Sequence, residues 1–234
     1  MAGRAYEVTG DKHFGSGSGI TDRMFTTAVP DGESDPMAFV LDVRDRPWDG
    51  SAGLRLTAEW DGIGMAATQS HAMRLERAPA VRMAWNGTLD PISRAASPLI
   101  ALLFTAVIVG VLDEAISVAR AQLQPRSDQL RSYEQVEWSR AELDHWTAVQ
   151  AYEGALRAVE GGNPATVLRA ALRGKEAVAD LAEHALLRIT RVLGGGTFSQ
   201  RSPFARWFED VRALGFLRPP WALAYDQLFA TSFE

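Results

Sequence analysis

Between Ala95 and Leu112 the chain reads AASPLIALLFTAVIVGVL, 18 residues without a charged side chain. A run of that length lies at the lower limit for crossing a bilayer, so it must either meet lipid or be enclosed by protein. Ser97, Pro98, Thr105 and Gly110 interrupt it, and it continues directly into the charged helical pattern DEAISVARAQ. A helix that is apolar on every side is what the centre of a helical bundle requires. The run is therefore read as a buried bundle helix rather than a membrane span.

The surrounding sequence supports a bundle. From Pro91 onward the apolar spacing is helical, and a first helix is predicted from about Ser93 to Gln124, ended by Pro125. A second covers about Asp128 to Val159 and stops at Gly161-Gly162. Asn163-Pro164 then supplies a cap followed by proline at the first helical position, and the third helix runs to Leu193, where Gly194-Gly195-Gly196 follow. Ser202-Pro203 opens a short helix over FARWFEDVRAL, and Pro219-Pro220 opens a last one to about Phe229. Three long apolar-faced helices leave room for a fourth, so either another subunit or an N-terminal domain outside these residues is expected to complete the bundle.

Residues 1–92 have a different period. YEVTG, RMFTTAV, MAFVLDV and GLRLTAEW carry β-branched or aromatic residues between turn clusters, and HAMRLERAPAVRM adds a further run. Arg55, Thr57 and Glu59 alternate with Leu54, Leu56 and Ala58, the pattern of a sheet with one wet face. The predicted architecture is α+β, with a partial β-domain over 1–92 and a helical bundle over 93–234.

Composition narrows the function classes. A net charge of −5 and a pI near 5.5 argue against a basic nucleic-acid footprint. The absence of cysteine removes disulfides, thiolate metal sites and cysteine nucleophiles. MAGRAYEVTG lacks the apolar run of a secretory signal, so a cytoplasmic location is expected. Glu142-x-x-His145 is half of a di-iron carboxylate motif, but Leu181 stands three residues before His184, where the second glutamate is needed. These residues are read as an exposed helix face, and no metal is expected. His71, in TQSHAM, is read as a solvated loop histidine.

Two glycine-rich segments remain. In DKHFGSGSGITD, Phe14 precedes Gly15, Ser16 and Gly17; Ile20 stands where a dinucleotide fingerprint needs glycine. Small residues there suit either a tight turn or the close approach of backbone N–H groups to a polar-edged ring. Gly194, Gly195 and Gly196 suit either a helix C-cap or a backbone contact with phosphate.

The order YEVTGDKHFGSGSG, WDGIGMAATQSHAM, RVLGGGTFSQRSPFARWFEDVRA resembles the acyl-CoA dehydrogenase superfamily, which includes related flavin-dependent monooxygenases. The resemblance implies a flavin, FAD or else FMN, with Phe14, Gly15, Ser16 and Gly17 against its ring and Ser16 near the ring's N5. It also implies that Gly194, Gly195 and Gly196 lie at the FAD diphosphate, with Arg191 available to a phosphate. The substrate it implies is an acyl-CoA or an aromatic small molecule, and the assembly a homo-oligomer or a pairing with a full-length homologue. The family's N-terminal helical domain and the start of its β-domain have no counterpart in these 234 residues, so the sequence leaves open whether a flavin stays bound.

The dehydrogenase base is not found. At the family position after FEDVRA stand Leu217 and Arg218, and at the alternative position stands Ala96; none can take a proton from carbon. Tyr225-Asp226 comes too late in register. The catalytic residue is thus unassigned. The leading reading is a flavin-dependent oxidoreductase resembling acyl-CoA dehydrogenase. A reduced-flavin monooxygenase and a non-catalytic partner subunit are the alternatives.

Overall fold

The computed structural model describes residues 5–83 and 89–233, and the chain divides into two compact units, Met1–Ala95 and Ala96–Glu234. In the first unit, β1 (Ala5–Gly15), β2 (Arg23–Ala28), β3 (Met37–Asp42), β4 (Leu54–Ala58) and β5 (His71–Arg82) form one antiparallel sheet. Its path is β1-β5-β3-β2, with β4 also on β5. β5 is the spine: β1 pairs along its whole length, while β4 and then β3 share its other edge.

The hydrophobic period of β5 changes phase partway. Met73 and Leu75 are buried, and so are Ala78 and Ala80, one step out of alternation. A bulge absorbs the extra residue: Arg77 adopts φ 51°, its N–H donates to Thr9 Oγ1, and the facing register shifts between Val8 and Gly10. The guanidinium of Arg77 donates to Glu7, holding that carboxyl below its usual range. β1 passes through Gly10-Asp11-Lys12 and ends only at Gly15. Phe39, Leu41, Leu54, Met73 and Leu75 form the centre of this unit's core, and β4 keeps its alternation, with Leu54 buried and Arg55 exposed.

The helical elements are α1 (Leu89–Leu123), α2 (Ser132–Glu160), α3 (Pro164–Leu193), α4 (Pro203–Arg212) and α5 (Trp221–Ala230). Gln124–Gln129 is a 3-10 turn, so α2 starts four residues later than its apolar spacing indicates. Ile108, Leu112, Ala115 and Ile116 of α1 pack with Ala141 and Ala148 of α2, Val178, Ala182 and Leu186 of α3, and Phe204 of α4.

The expectation of a fully enclosed first helix needs correction. One face of α1 is buried through Ala101, Leu102, Thr105 and Ile108, but Leu99, Ile100, Leu103 and Val107 stand 49, 41, 59 and 50% exposed. These positions fall at i, i+1, i+4 and i+8, so they make one apolar stripe. The helix is long and apolar enough to cross a membrane by length and composition alone.

Candidate functional site

β1 ends in a turn pinned from two directions. Phe14 takes a left-handed φ of 54° and Gly17 one of 80°. Ser18 N–H donates to Gly15 C=O, and Ile20 and Thr21 N–H both donate to Gly17 C=O. Gly17 N–H donates to Thr68 C=O at 2.7 Å, tying the turn to the connection between β4 and β5. That connection contains the 3-10 turn Ala66–Thr68, flanked by Met65 at φ 56° and Gln69 at φ 45°. Three non-glycine residues in left-handed conformations thus meet at one place, and each costs on the order of 1 kcal/mol or more. Such strain is retained where the surroundings over-determine the geometry.

The glycines and their neighbours divide the work. A β-carbon on Gly15 would fall 2.9 Å from Met73 Cε and 3.2 Å from the His71 carbonyl, and one on Gly17 would fall 2.8 Å from Thr21 Cγ2. Both glycines are therefore required by the chain's own packing. The outward groups are Phe14, 72% exposed, and the Ser16 side chain. Phe14 packs edge-on to Trp60 with centroids 6.1 Å apart. Ser16 Oγ lies 2.8 Å from Ser70 Oγ, which lies 2.7 Å from Thr68 Oγ1.

His71 is not a solvated loop residue. It opens β5, its Nδ1 accepts the Trp60 backbone N–H at 2.8 Å, and Trp48 packs edge-on to its ring. It braces the β4–β5 connection from behind. Ser70, Thr68 and Trp60 were missed by sequence reasoning, although all three fall inside the motif WDGIGMAATQSHAM. Their signal was present as hydroxyls and an aromatic, but Ser70 meets its partner Ser16 54 residues away, and Trp60 meets Phe14.

The second candidate segment lies in the helical unit. Gly194 caps α3, with its N–H on Thr190 C=O and φ 82°, so the C-cap reading accounts for that residue. Gly195 and Gly196 differ. Both are exposed, neither has a left-handed φ, and a β-carbon on either would meet nothing within 4 Å. Nothing in the chain's own packing requires glycine there. Arg191 pairs with Glu137 at 3.1 Å, and Glu137 also binds Arg188, which reaches Asp144 at 2.7 Å. The side chain of Arg191 is still more than half exposed.

His145 and Glu142 have structural partners. His145 bonds to Asp113, and Glu142 to Arg120, so the half-motif Glu142-x-x-His145 joins α2 to α1 instead of forming a free outer face. Leu217 packs against the core, and Asp226 is exposed. Tyr225 has its phenol pushed up by burial and by the Asp180 and Glu176 carboxylates. Lys175 and Glu176, adjacent on α3, are both buried and paired at 2.7 Å.

A five-stranded antiparallel sheet unit followed by a helical unit of this order is a fold shared with several solved structures. KijD3, solved with FMN and dTDP-3-amino-2,3,6-trideoxy-4-keto-3-methyl-D-glucose, aligns over 99% of this chain and 60% of its own, at 22% identity and a TM-score of 0.83. Nitrososynthase from Micromonospora carbonacea var. africana aligns over 99% and 61%, at 21% identity and a TM-score of 0.81. FMN-bound TdsC from Paenibacillus sp. A11-2 aligns over 97% and 64%, at 19% identity and a TM-score of 0.80. The likeness is one of fold, and the chain spans about three-fifths of the length of these structures. No protein-family model and no curated protein matches the chain.

Proposed function

We propose that the chain is a flavin-dependent oxidoreductase of the monooxygenase kind, using reduced FMN. The observation that carries the reading is the pinned end of β1, which turns Phe14 and the Ser16 hydroxyl outward while Gly15 and Gly17 serve the turn. An exposed aromatic beside a fixed hydroxyl suits a flat ring with a polar edge. In the helical unit, Gly195 and Gly196 offer bare backbone with no packing role, which suits contact with a phosphate. A bound reduced flavin supplies two electrons for the reduction of dioxygen.

The choice of monooxygenase over dehydrogenase rests on the acyl-CoA base. Leu217 and Arg218 occupy its position, and neither accepts a proton from carbon at neutral pH. FMN is preferred to FAD because KijD3 and TdsC were solved with FMN. The protein's own residues hold the ring edge at Ser16 and support it through Ser70 and Thr68. The test is oxygen consumption with chemically reduced FMN, measured beside acyl-CoA-dependent reduction of a dye. Oxygen uptake above that of free reduced FMN, with no dye reduction, is the expected result. Dye reduction driven by acyl-CoA would reverse the assignment.

The assembly belongs to the same reading. The stripe Leu99, Ile100, Leu103 and Val107 is covered by a second copy in a homo-oligomer, because a continuous exposed apolar face is an association surface. Light scattering should give at least a dimer for the native chain, and Leu103→Asp should shift it to monomer. A native monomer would contradict this part of the proposal.

A further inference from the structure

A cleft of about 520 Å³ opens in the sheet unit between the first half of β1 and the connection from β2 to β3. Its volume falls within the range of small-molecule pockets, roughly 300–1,000 Å³. Tyr6, Phe39, Val29 and Pro30 supply an apolar wall. The Tyr6 and Phe39 rings are set edge-to-face with centroids 5.3 Å apart, so the wall is fixed by the core beneath it. Four charged side chains complete the lining: Glu7, Asp31, Glu33 and Arg77.

Three of those four charges are neutralised within the chain. Arg77 grips the Glu7 carboxylate through Nε and Nη2, at 2.8 and 3.2 Å. Arg82 Nη1 donates to Glu33 at 2.8 Å, and its guanidinium also donates to the Tyr6 phenol oxygen. Asp31 differs. Among the described residues, neither a hydrogen bond nor an ion pair engages its carboxylate. With Arg82 counted, the cleft carries one net negative charge, and Asp31 holds it at the rim beside the apolar wall.

We propose that this cleft binds a small organic monocation, an alkyl- or arylammonium, with the charge on Asp31 and the carbon body on the wall of Tyr6, Val29 and Pro30. An anion would meet three carboxylates there, and a neutral ligand would leave Asp31 unused. The proposal does not depend on the flavin reading. From Thr9, at the end of the cleft, to Phe14, at the turn, β1 runs roughly 16 Å at about 3.3 Å per residue.

The test is calorimetric titration of the full chain with phenethylammonium chloride and, in parallel, with phenethyl alcohol as its neutral counterpart. The ammonium should bind saturably and at least tenfold more tightly than the alcohol. Asp31→Asn should weaken the ammonium by about tenfold or more, the worth of one charge-assisted contact, and leave the alcohol unchanged. Val29→Lys sets a like charge at an exposed position of the same wall and should weaken the ammonium to a similar degree. Absence of saturable ammonium binding at millimolar concentration, or equal affinity for ammonium and alcohol, would overturn the proposal. So would ammonium binding that neither variant weakens, or release of the bound ammonium by FMN. A chain that binds the ammonium as described but not FMN would overturn the flavin reading and support this one.

Discussion

Lys175→Ala is expected to lower the stability of the helical unit by about 3–5 kcal/mol, the usual cost of stranding one partner of a buried ion pair. The Lys175 side chain is 0% exposed and that of Glu176 is 6% exposed, with Nζ and Oε1 2.7 Å apart. Removing the ammonium leaves the buried Glu176 carboxylate without its partner, and an unpaired buried charge is costly. The double variant Lys175→Met, Glu176→Gln removes both charges and keeps most of the volume. It should recover more than half of the loss, since a buried pair contributes little net stability over a neutral replacement. Urea unfolding followed by helical circular dichroism reads both. A single variant that costs under about 1 kcal/mol would mean that water reaches the pair.

Gly174→Ala should destabilise, against the intrinsic preference of the helix. At an exposed helical position this change gains about 1 kcal/mol. Here a β-carbon would stand 2.5 Å from Ala155 Cβ and 3.2 Å from the Ala151 carbonyl oxygen, where α3 crosses α2. The helices must separate locally, and overpacking of this kind costs about 1–3 kcal/mol. Ala155→Gly in the same chain removes the closer contact and should restore most of the stability. The thermal midpoint of the single and double variants decides it, and a midpoint that rises for Gly174→Ala alone would show that the crossing is looser than its geometry.

Both positions illustrate what a sequence hides. In LRAALRGKEAVADL the pair Lys175-Glu176 reads as part of a polar face, because charge normally marks solvent. Only the wide arc of burial around α3, which takes in Ala171, Leu172, Val178 and Ala179, shows otherwise. α1 has the opposite problem: its composition announces a helix, but with every side apolar no period remains to say that Leu103 is open and Leu102 closed. The strands of the first unit were readable from β-branched runs and turn residues. The bulge at Arg77 was not, since it faces Thr9 of β1, more than sixty residues earlier in the chain.

The candidate site was partly legible. Phe14, Ser16 and the two glycine segments stand out from their neighbours, and the structure separates them by job. Gly15, Gly17 and Gly194 answer to backbone geometry and packing, whereas Phe14 and Ser16 stay exposed beside Trp60 and Ser70, and Gly195 and Gly196 have no packing reason to be glycine. Residues without an internal reason are where a ligand is best sought. Ser70 and Thr68 could not be found that way, because a serine and a threonine before a strand are ordinary loop composition.

The most direct test of the account is titration of the purified chain with FMN, followed by absorption and by quenching of flavin fluorescence, with Ser16→Trp measured alongside. Ser16→Trp fills the space in front of the hydroxyl. Saturable binding to the native chain, weakened at least tenfold by Ser16→Trp, is the predicted result. Binding that the variant leaves unchanged would place the flavin elsewhere, and no binding at all would contradict the proposed site.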